Sequence, residues 1–308
     1  MTSLAVLAAD LTAANFTVDA LTALWGEDAA AALHRGHRVP ALRALHSSTP
    51  LSTLATAFVL GLPVPPADLA AALPALGLEG AIELGLVTPE GAPLLDLRPY
   101  SVVDGSGVTS WWIASDLGEL ALGHAIPEDH VLGVGGASTT LSTLMLAEPV
   151  ELALDLGTGC GIQALHAARH ATRVIATDIS ERALHLARFN AKLNGFTNIE
   201  FRLGSLFEPV AGEHFGHIVS NPPFVITPRV AGVPSYEYRD GGMVGDGIVA
   251  AVVRGVEERL APGGFAQLLG NWEYGAGDGL ERVETWVAET GLDAWVIERE
   301  RQSVEQYA

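Results

Sequence analysis

The chain is expected to be an α/β protein: a mostly parallel sheet preceded by a helical domain. Three observations predict this. From residue 149 onward, apolar runs of strand length alternate with segments of helical spacing, the pattern of a parallel sheet covered by helices. Residues 1–97 carry Ala and Leu at helical intervals, such as Leu4, Leu7, Leu11 and Leu21, Leu24. Finally, the apolar stretch Glu151–Leu156 runs straight into Gly157-Thr158-Gly159-Cys160-Gly161, a turn of alternating glycines.

At 308 residues and 49% hydrophobic content, the chain can bury two cores. Lys+Arg 17 against Asp+Glu 36 gives a net charge of −19, which repels phosphate backbones over long range and lowers the expectation of unaided nucleic-acid binding. The single cysteine, Cys160, rules out an intramolecular disulfide. No Cys/His cluster has metal spacing: His34 and His37 stand close, but no further ligands follow, so no metal is expected. The start, Met1–Leu7, lacks a basic region and meets Asp10 early, unlike a signal peptide. Leu51–Leu62 is too short and too interrupted to span a bilayer. A soluble, cytoplasmic protein without a membrane partner is expected.

The elements then follow in order. In residues 1–97, helices are interrupted at Pro40, Pro50, the Pro63/Pro65/Pro66 cluster and Pro74. Helices over Leu51–Leu60, Ala67–Leu73 and Leu78–Leu84, then the turn Val87–Gly91 and the strand Leu94–Leu97, resemble a winged helix. Three arginines against nine acids leave this domain at −6, which favours a substrate-side or dimerising lid over a nucleic-acid reader; a purely structural cap is equally open. Residues 98–148 form a β-hairpin and linker. Tyr100–Val103 and Val108–Ile113 flank Asp104-Gly105-Ser106-Gly107, and Trp111 and Trp112 point to opposite faces, one to a core and one to a domain interface. Val131–Thr140 is a glycine-rich loop before a helix ending at Ala147, either a cofactor-facing segment or a plain linker. Residues 149–308 carry strands at Leu152–Leu156, Arg173–Thr177, Ile199–Leu203, His217–Ser220, Phe265–Leu269 and Trp295–Glu298. The helix Glu181–Leu193 has Ser180 as N-cap and Gly195 as stop signal.

Glycines at 157, 159 and 161 suit a ligand lying across the backbone, since side chains there would collide with it. Dinucleotide enzymes use such a turn too, but here Ile162 stands where their third glycine falls. Asp178 ends the next strand, seventeen residues beyond Gly161, where a carboxylate can accept both hydroxyls of a ribose. Sixty residues after the turn, Ser220-Asn221-Pro222-Pro223-Phe224 closes another apolar strand. Asn221 offers a side-chain carbonyl, Pro222 a backbone carbonyl, the proline pair stiffens the loop, and Phe224 offers a face for stacking. Two acceptors so placed can orient a planar nitrogen whose lone pair is otherwise delocalised.

Asp155–Gly161, Asp178, the helix Glu181–Ala191 and Asn221–Phe224 together resemble the class I S-adenosylmethionine-dependent N-methyltransferases with an NPPF motif. The similarity is greatest to release-factor glutamine methyltransferases, which share the tetrapeptide with N6-adenine and N2-guanine methyltransferases. It covers about residues 131–300. The resemblance implies a Rossmann-like sheet and S-adenosylmethionine as cofactor. It implies cofactor contacts from Asp155, Gly157, Thr158, Gly159, Gly161, Asp178, Ile179, Ser205, Leu206 and Asn221. Asp155 braces the turn and sits near the cofactor's ammonium, or serves the loop alone; Ser205 stands where related enzymes often place Asp near the adenine. Asn221, Pro222, Pro223 and Phe224 form the implied catalytic loop. Tyr236-Glu237, Gly241-Gly242 and Gly245-Asp246-Gly247 are similar to a glycine-rich segment of the glutamine-methylating branch, and Arg229 and Arg239 flank it as candidates for holding an acidic substrate. The favoured acceptor is a protein glutamine side chain, with a small molecule also open. An exocyclic amine of an RNA base, and a non-catalytic cofactor-binding module, are the alternatives. Because that sheet normally ends in a hairpin of strands six and seven, a last strand is expected to be missing after Ala308.

Overall fold

The N-terminal helices are α1 (Ser3–Ala13), α2 (Val18–Trp25), α3 (Glu27–His34), α4 (Val39–Ala44), α5 (Pro50–Leu54), α6 (Pro66–Ala72) and α7 (Gly77–Glu83), in a computed structural model that describes residues 2–46, 48–104, 107–123, 126–226, 244–274 and 279–307. Threonines start three of them. Thr2, Thr17 and Thr49 each accept a backbone N–H of the first turn, the commonest way to satisfy those otherwise unpaired donors. Helix α5 widens into a π turn over Ala55–Val59. Its terminal carbonyls are taken up by arginines from afar: Arg98 Nη2 donates to Val59 O at 3.0 Å and Arg38 Nη1 to Leu60 O at 3.3 Å. Asp10, 3% exposed, accepts the Ala75 and Leu76 N–H groups ahead of α7. After α7 an isolated bridge pairs Val87 with Pro93, and the chain bends through Leu94 and Leu95 into β1 at Asp96, two residues later than the strand expected over Leu94–Leu97.

Strands β1 (Asp96–Asp104) and β2 (Gly107–Ser115) form the expected antiparallel hairpin; Gly105 and Ser106 of its turn lie outside the described residues. Trp111 packs against Tyr100, His166 and Phe196, while the Trp112 indole donates to Phe16 O at 2.8 Å. The hairpin thus touches both the α/β layer and the N-terminal helices.

The parallel sheet contains β3 (Val150–Leu156), β4 (Ala171–Asp178), β5 (Ile199–Leu203), β6 (Phe215–Ser220) and β7 (Leu260–Leu268), in the order β5-β4-β3-β6-β7. Its helices include α8 (Glu119–Leu122) and α9 (Gly136–Leu144) before β3, then α10 (Ile162–Ala167), α11 (Glu181–Leu193), α12 (Gly247–Val256), α13 (Leu280–Ala288) and α14 (Val304–Tyr307). In α11 the Ser180 hydroxyl accepts from Ala183 N, and the buried face carries Leu184, Leu186, Ala187, Asn190 and Leu193. One apolar core runs from the N-terminal helices through the hairpin to α10 and α11. Among the described residues, no single helix is long and apolar enough to cross a membrane.

Two asparagines dock the hairpin. Asn190 accepts from Ala114 N at 2.8 Å and donates to Ala114 O at 2.9 Å; Asn194, one turn on, does the same to Trp112 at 2.9 and 2.8 Å. A side-chain amide carries the same donor–acceptor pair as a peptide, so the two residues stand in for a strand along the free edge of β2.

Two expectations are corrected. Trp295–Glu298 is not a strand: residues 292–303 are irregular, with Trp295 89% and Ile297 61% exposed. A strand needs a neighbour to receive its backbone groups, and among the described residues none pairs there. The loop predicted through Thr140 already turns helical at Gly136, which places Thr139 and Thr140 within α9.

Candidate active site

The register aligns three strand tips. Leu156 of β3 lies opposite Thr177 of β4 and Ser220 of β6, and β3 is where the chain order of the sheet reverses. In open α/β sheets the crevice at such a switch, beyond the carboxyl ends of the strands, is where ligands bind. The glycine turn, Asp178 and Asn221 leave these three neighbouring tips. The Ser220 hydroxyl locks the geometry by donating to Leu156 O at 2.7 Å.

Gly157, Gly159 and Gly161 all have positive φ, +75°, +53° and +90°. Each conformation strains any residue with a Cβ. At Gly161 space is lacking as well, since a Cβ would sit 3.0 Å from that of Ala187 on α11. Over Gly157 and Gly159 a Cβ would meet nothing within 4 Å, so an open surface lies above the turn. Thr177 O accepts both the Gly157 and Thr158 N–H groups, and Gly159 N donates to Asp178 Oδ2 at 2.9 Å. Asn190 Nδ2 also reaches Cys160 O at 2.8 Å, which ties the turn to the hairpin. Cys160 is buried, which pushes its thiol up to about 11, against a nucleophilic role.

Asp178 receives one backbone N–H on each oxygen, from Gly159 and from Ser180 at 2.9 Å. The Ile179 amide also bears on this carboxylate. Burial raises its pKa against the opposing pull of these amides. Ile179 beside it is 61% exposed, an apolar surface at the rim of the crevice. Gly204 N donates to Asp178 O at 3.0 Å, which brings the half-buried Ser205 and Leu206 alongside; Leu206 adopts a positive φ of 47°.

Asp155 is 1% exposed. One oxygen takes the Thr158 hydroxyl at 2.6 Å; the other has no hydrogen-bond partner of ordinary geometry. Burial pushes this carboxyl up to about 7, with the Thr158 hydroxyl and the Ala164 amide opposing and the Asp178 charge adding to the rise.

Across the crevice, Pro222 is buried and Phe224 packs against the cluster of Ile248, Val249 and Trp286. Asn221 Nδ2 reaches Ser138 Oγ at 3.4 Å, while Asn221 Oδ1 is buried with no partner. A buried orphan acceptor is costly and uncommon. Any donor brought to it, an N–H or an O–H, would satisfy it.

Of the residues singled out by sequence, the structure brings together Asp155, Gly157, Thr158, Gly159, Gly161, Asp178, Ile179 and Asn221–Phe224, with Ser205 and Leu206 at one side. Arg229, Tyr236, Glu237, Arg239, Gly241 and Gly242 lie outside the described residues. Gly245-Asp246-Gly247 serves as a brace: Asp246, 2% exposed, accepts two hydrogen bonds from Arg282 and one from Glu273 N. Ser138 was legible only as a member of the Val131–Thr140 segment, and Ser142 and Gln163 not at all, because small polar residues carry no signal of their own until the fold sets Ser138 against Asn221 and the other two against Ser138.

Residues 134–233 match the family model described as Methyltransferase small domain, and residues 13–98 match a domain of unknown function, DUF7059. The chain is similar to the release factor glutamine methyltransferase of Xylella fastidiosa, 37% identical over 130 residues, which cover 40% of this chain and 47% of that one. It is also similar to the ribosomal protein uL3 glutamine methyltransferase of Bradyrhizobium diazoefficiens, 34% identical over 140 residues, 42% of this chain and 44% of that one. A Methanocaldococcus jannaschii protein named as a protein N5-glutamine methyltransferase is 34% identical over 135 residues, 42% of this chain and 68% of that one. The match spans about half the length of the first two relatives.

Proposed function

Because the chain belongs to the class I methyltransferase family, we propose that it binds S-adenosylmethionine over the glycine turn and methylates the side-chain amide nitrogen of a protein glutamine. The observation that carries the reading is the buried, unpartnered Asn221 Oδ1 beside the open surface above Gly157 and Gly159. When bound, the cofactor supplies a methyl group on a sulfonium, whose methyl carbon is electrophilic because the sulfur departs as a neutral thioether. What the protein must do is prepare the acceptor. Asn221 Oδ1 accepts one N–H of the amide and the Pro222 backbone carbonyl accepts the other, so the nitrogen turns its remaining face to the methyl. As positive charge grows on that nitrogen, both contacts strengthen, which is transition-state stabilisation in the required place. The proton finally shed from nitrogen passes to solvent, because the two carbonyl oxygens orient it by hydrogen bonding and are too weakly basic to keep it. Phe224 provides the face on which the planar amide lies.

Asp178 takes the ribose hydroxyls, with Ile179, Ser205 and Leu206 around the base. Asp178→Ala is expected to weaken cofactor binding by about 1.5–3 kcal/mol, the range for hydrogen bonds to a charged group; isothermal calorimetry checks it, and equal affinity would remove the ribose contact. Asp155 faces the cofactor's ammonium and binds it as the carboxylate. With a carboxyl titrating at about 7, the ionised form needed for binding becomes scarce as pH falls. Affinity is expected to drop by up to about tenfold per unit below that value. Asp155→Asn should flatten the profile between about pH 7.5 and pH 5.5; parallel slopes for the two proteins would exclude the contact.

The acceptor class is tested by transfer of labelled methyl into fractionated cell extract. Label in N5-methylglutamine after proteolysis supports the reading, with release factors and ribosomal proteins the first candidates because relatives are named for them. Label released only by nuclease would move the acceptor to a base, and no label in either would leave a cofactor-binding module.

A further inference from the structure

A carboxamide that must accept one hydrogen bond at a defined angle needs its other end held. Free to rotate about its side-chain torsions, Asn221 would present its oxygen to the acceptor only part of the time, and the rotated amide would meet a substrate N–H with N–H. One contact in the structure bears on this rotation. Asn221 Nδ2 is met by Ser138 Oγ at 3.4 Å, a long hydrogen bond, from the first turn of α9.

Ser138 is itself anchored on the side away from Asn221. Its backbone carbonyl accepts two donors, Gln163 Nε2 at 2.9 Å and Ser142 Oγ at 2.7 Å, and the Ser142 hydroxyl also lies 3.2 Å from Gln163 Oε1. Gln163 and Ser142 are 3% and 7% exposed. Gln163 is the second residue of α10, the helix that begins where the glycine turn ends. A continuous path therefore runs from the turn through Gln163 to Ser138 and on to Asn221. Buried networks of this kind hold their members to one geometry when every polar group in them is satisfied. Asn221 Oδ1, at the far end of the path, is buried and makes no hydrogen bond to the described residues.

We propose that Ser138 is a positioning residue for methyl transfer: it holds the nitrogen end of the Asn221 amide so that Oδ1 stays turned to the acceptor N–H, and Gln163 couples that posture to the cofactor turn. The proposal rests on the acceptor role assigned to Asn221 above. It touches neither cofactor nor substrate affinity directly, so its signature is a fall in the chemical step alone.

The test is a double-mutant cycle of Ser138→Ala and Asn221→Ala in the full chain, read by single-turnover methyl transfer to a glutamine-containing acceptor, with cofactor affinity and thermal midpoint measured for every variant. Ser138→Ala is expected to slow the chemical step about tenfold, the scale of one lost hydrogen bond, with cofactor affinity and midpoint unchanged. In the Asn221→Ala background it should cost nothing more, because the side chain it acts through is gone. Ser138→Thr, which keeps the hydroxyl, should restore most of the rate. If Ser138→Ala slows transfer equally in both backgrounds, or lowers the midpoint in proportion to the rate, the residue is structural and the proposal fails. If Asn221→Ala itself leaves the rate unchanged, the acceptor-loop reading falls first.

Discussion

Asn221→Ala is expected to slow methyl transfer about 10²–10³-fold while cofactor affinity stays within about twofold. The magnitude is that of removing one preorganised polar contact from a developing charge. An amide nitrogen is a weak nucleophile, since its lone pair is shared with the carbonyl. Aligning that nitrogen and holding both of its protons is the main service the protein can supply. Asn221 is suited to it because Oδ1 is buried and makes no hydrogen bond to the described residues. The truncation leaves Ser220, Pro222 and the strand tip in place, and the cofactor turn belongs to β3. Affinity should therefore report nothing while the rate collapses. Single-turnover transfer with calorimetry in parallel checks both halves. A rate within about threefold of the parent would refute the mechanism, and a matching loss of affinity would leave Asn221 with the cofactor contact that the resemblance also implies for it, in place of the acceptor role.

The largest effect on stability is expected at Asn190, which is fully buried. Its amide serves Ala114 N, Ala114 O and Cys160 O at 2.8–2.9 Å. Asn190→Ala strands one buried N–H and two carbonyls, each worth about 1–3 kcal/mol when left unpaired. The costs do not add in full, and a loss of about 3–5 kcal/mol is expected, a large part of an ordinary domain's stability. The denaturant midpoint should fall, and cofactor affinity with it, since the Cys160 carbonyl is part of the glycine turn. Asn194→Ala, whose bonds to Trp112 are less buried, should cost less. A loss below about 1 kcal/mol at Asn190 would show that water replaces the amide and that the hairpin is held by its apolar face alone.

The order of strands and helices was readable from residue 149 to Leu268 because each element announces itself locally. Strands there are short apolar runs, α11 has a serine cap and a glycine stop, and three alternating glycines need φ values that other residues avoid. The C-terminal segment misled for the same reason. Trp295-Val296-Ile297 has strand composition, yet a strand exists only where a neighbour completes its hydrogen bonds. The start of α9 was also missed, since Gly135 and Gly136 look like loop, and glycine composition cannot tell a loop from a helix opening after a glycine N-cap.

The candidate site divides along the same line. The residue types at the strand tips, with Asp178 and Asn221 in their places, were visible in one dimension because their chemistry depends on neighbours a few positions away. Other facts needed the folded chain: that Asn190 and Asn194 act as a substitute strand, that Gln163 and Ser138 back the Asn221 amide, and that one Asn221 atom is buried without a partner. These contacts join residues 20 to more than 80 positions apart, and the properties that matter in them, burial and the direction of a donor, exist only once the elements have packed.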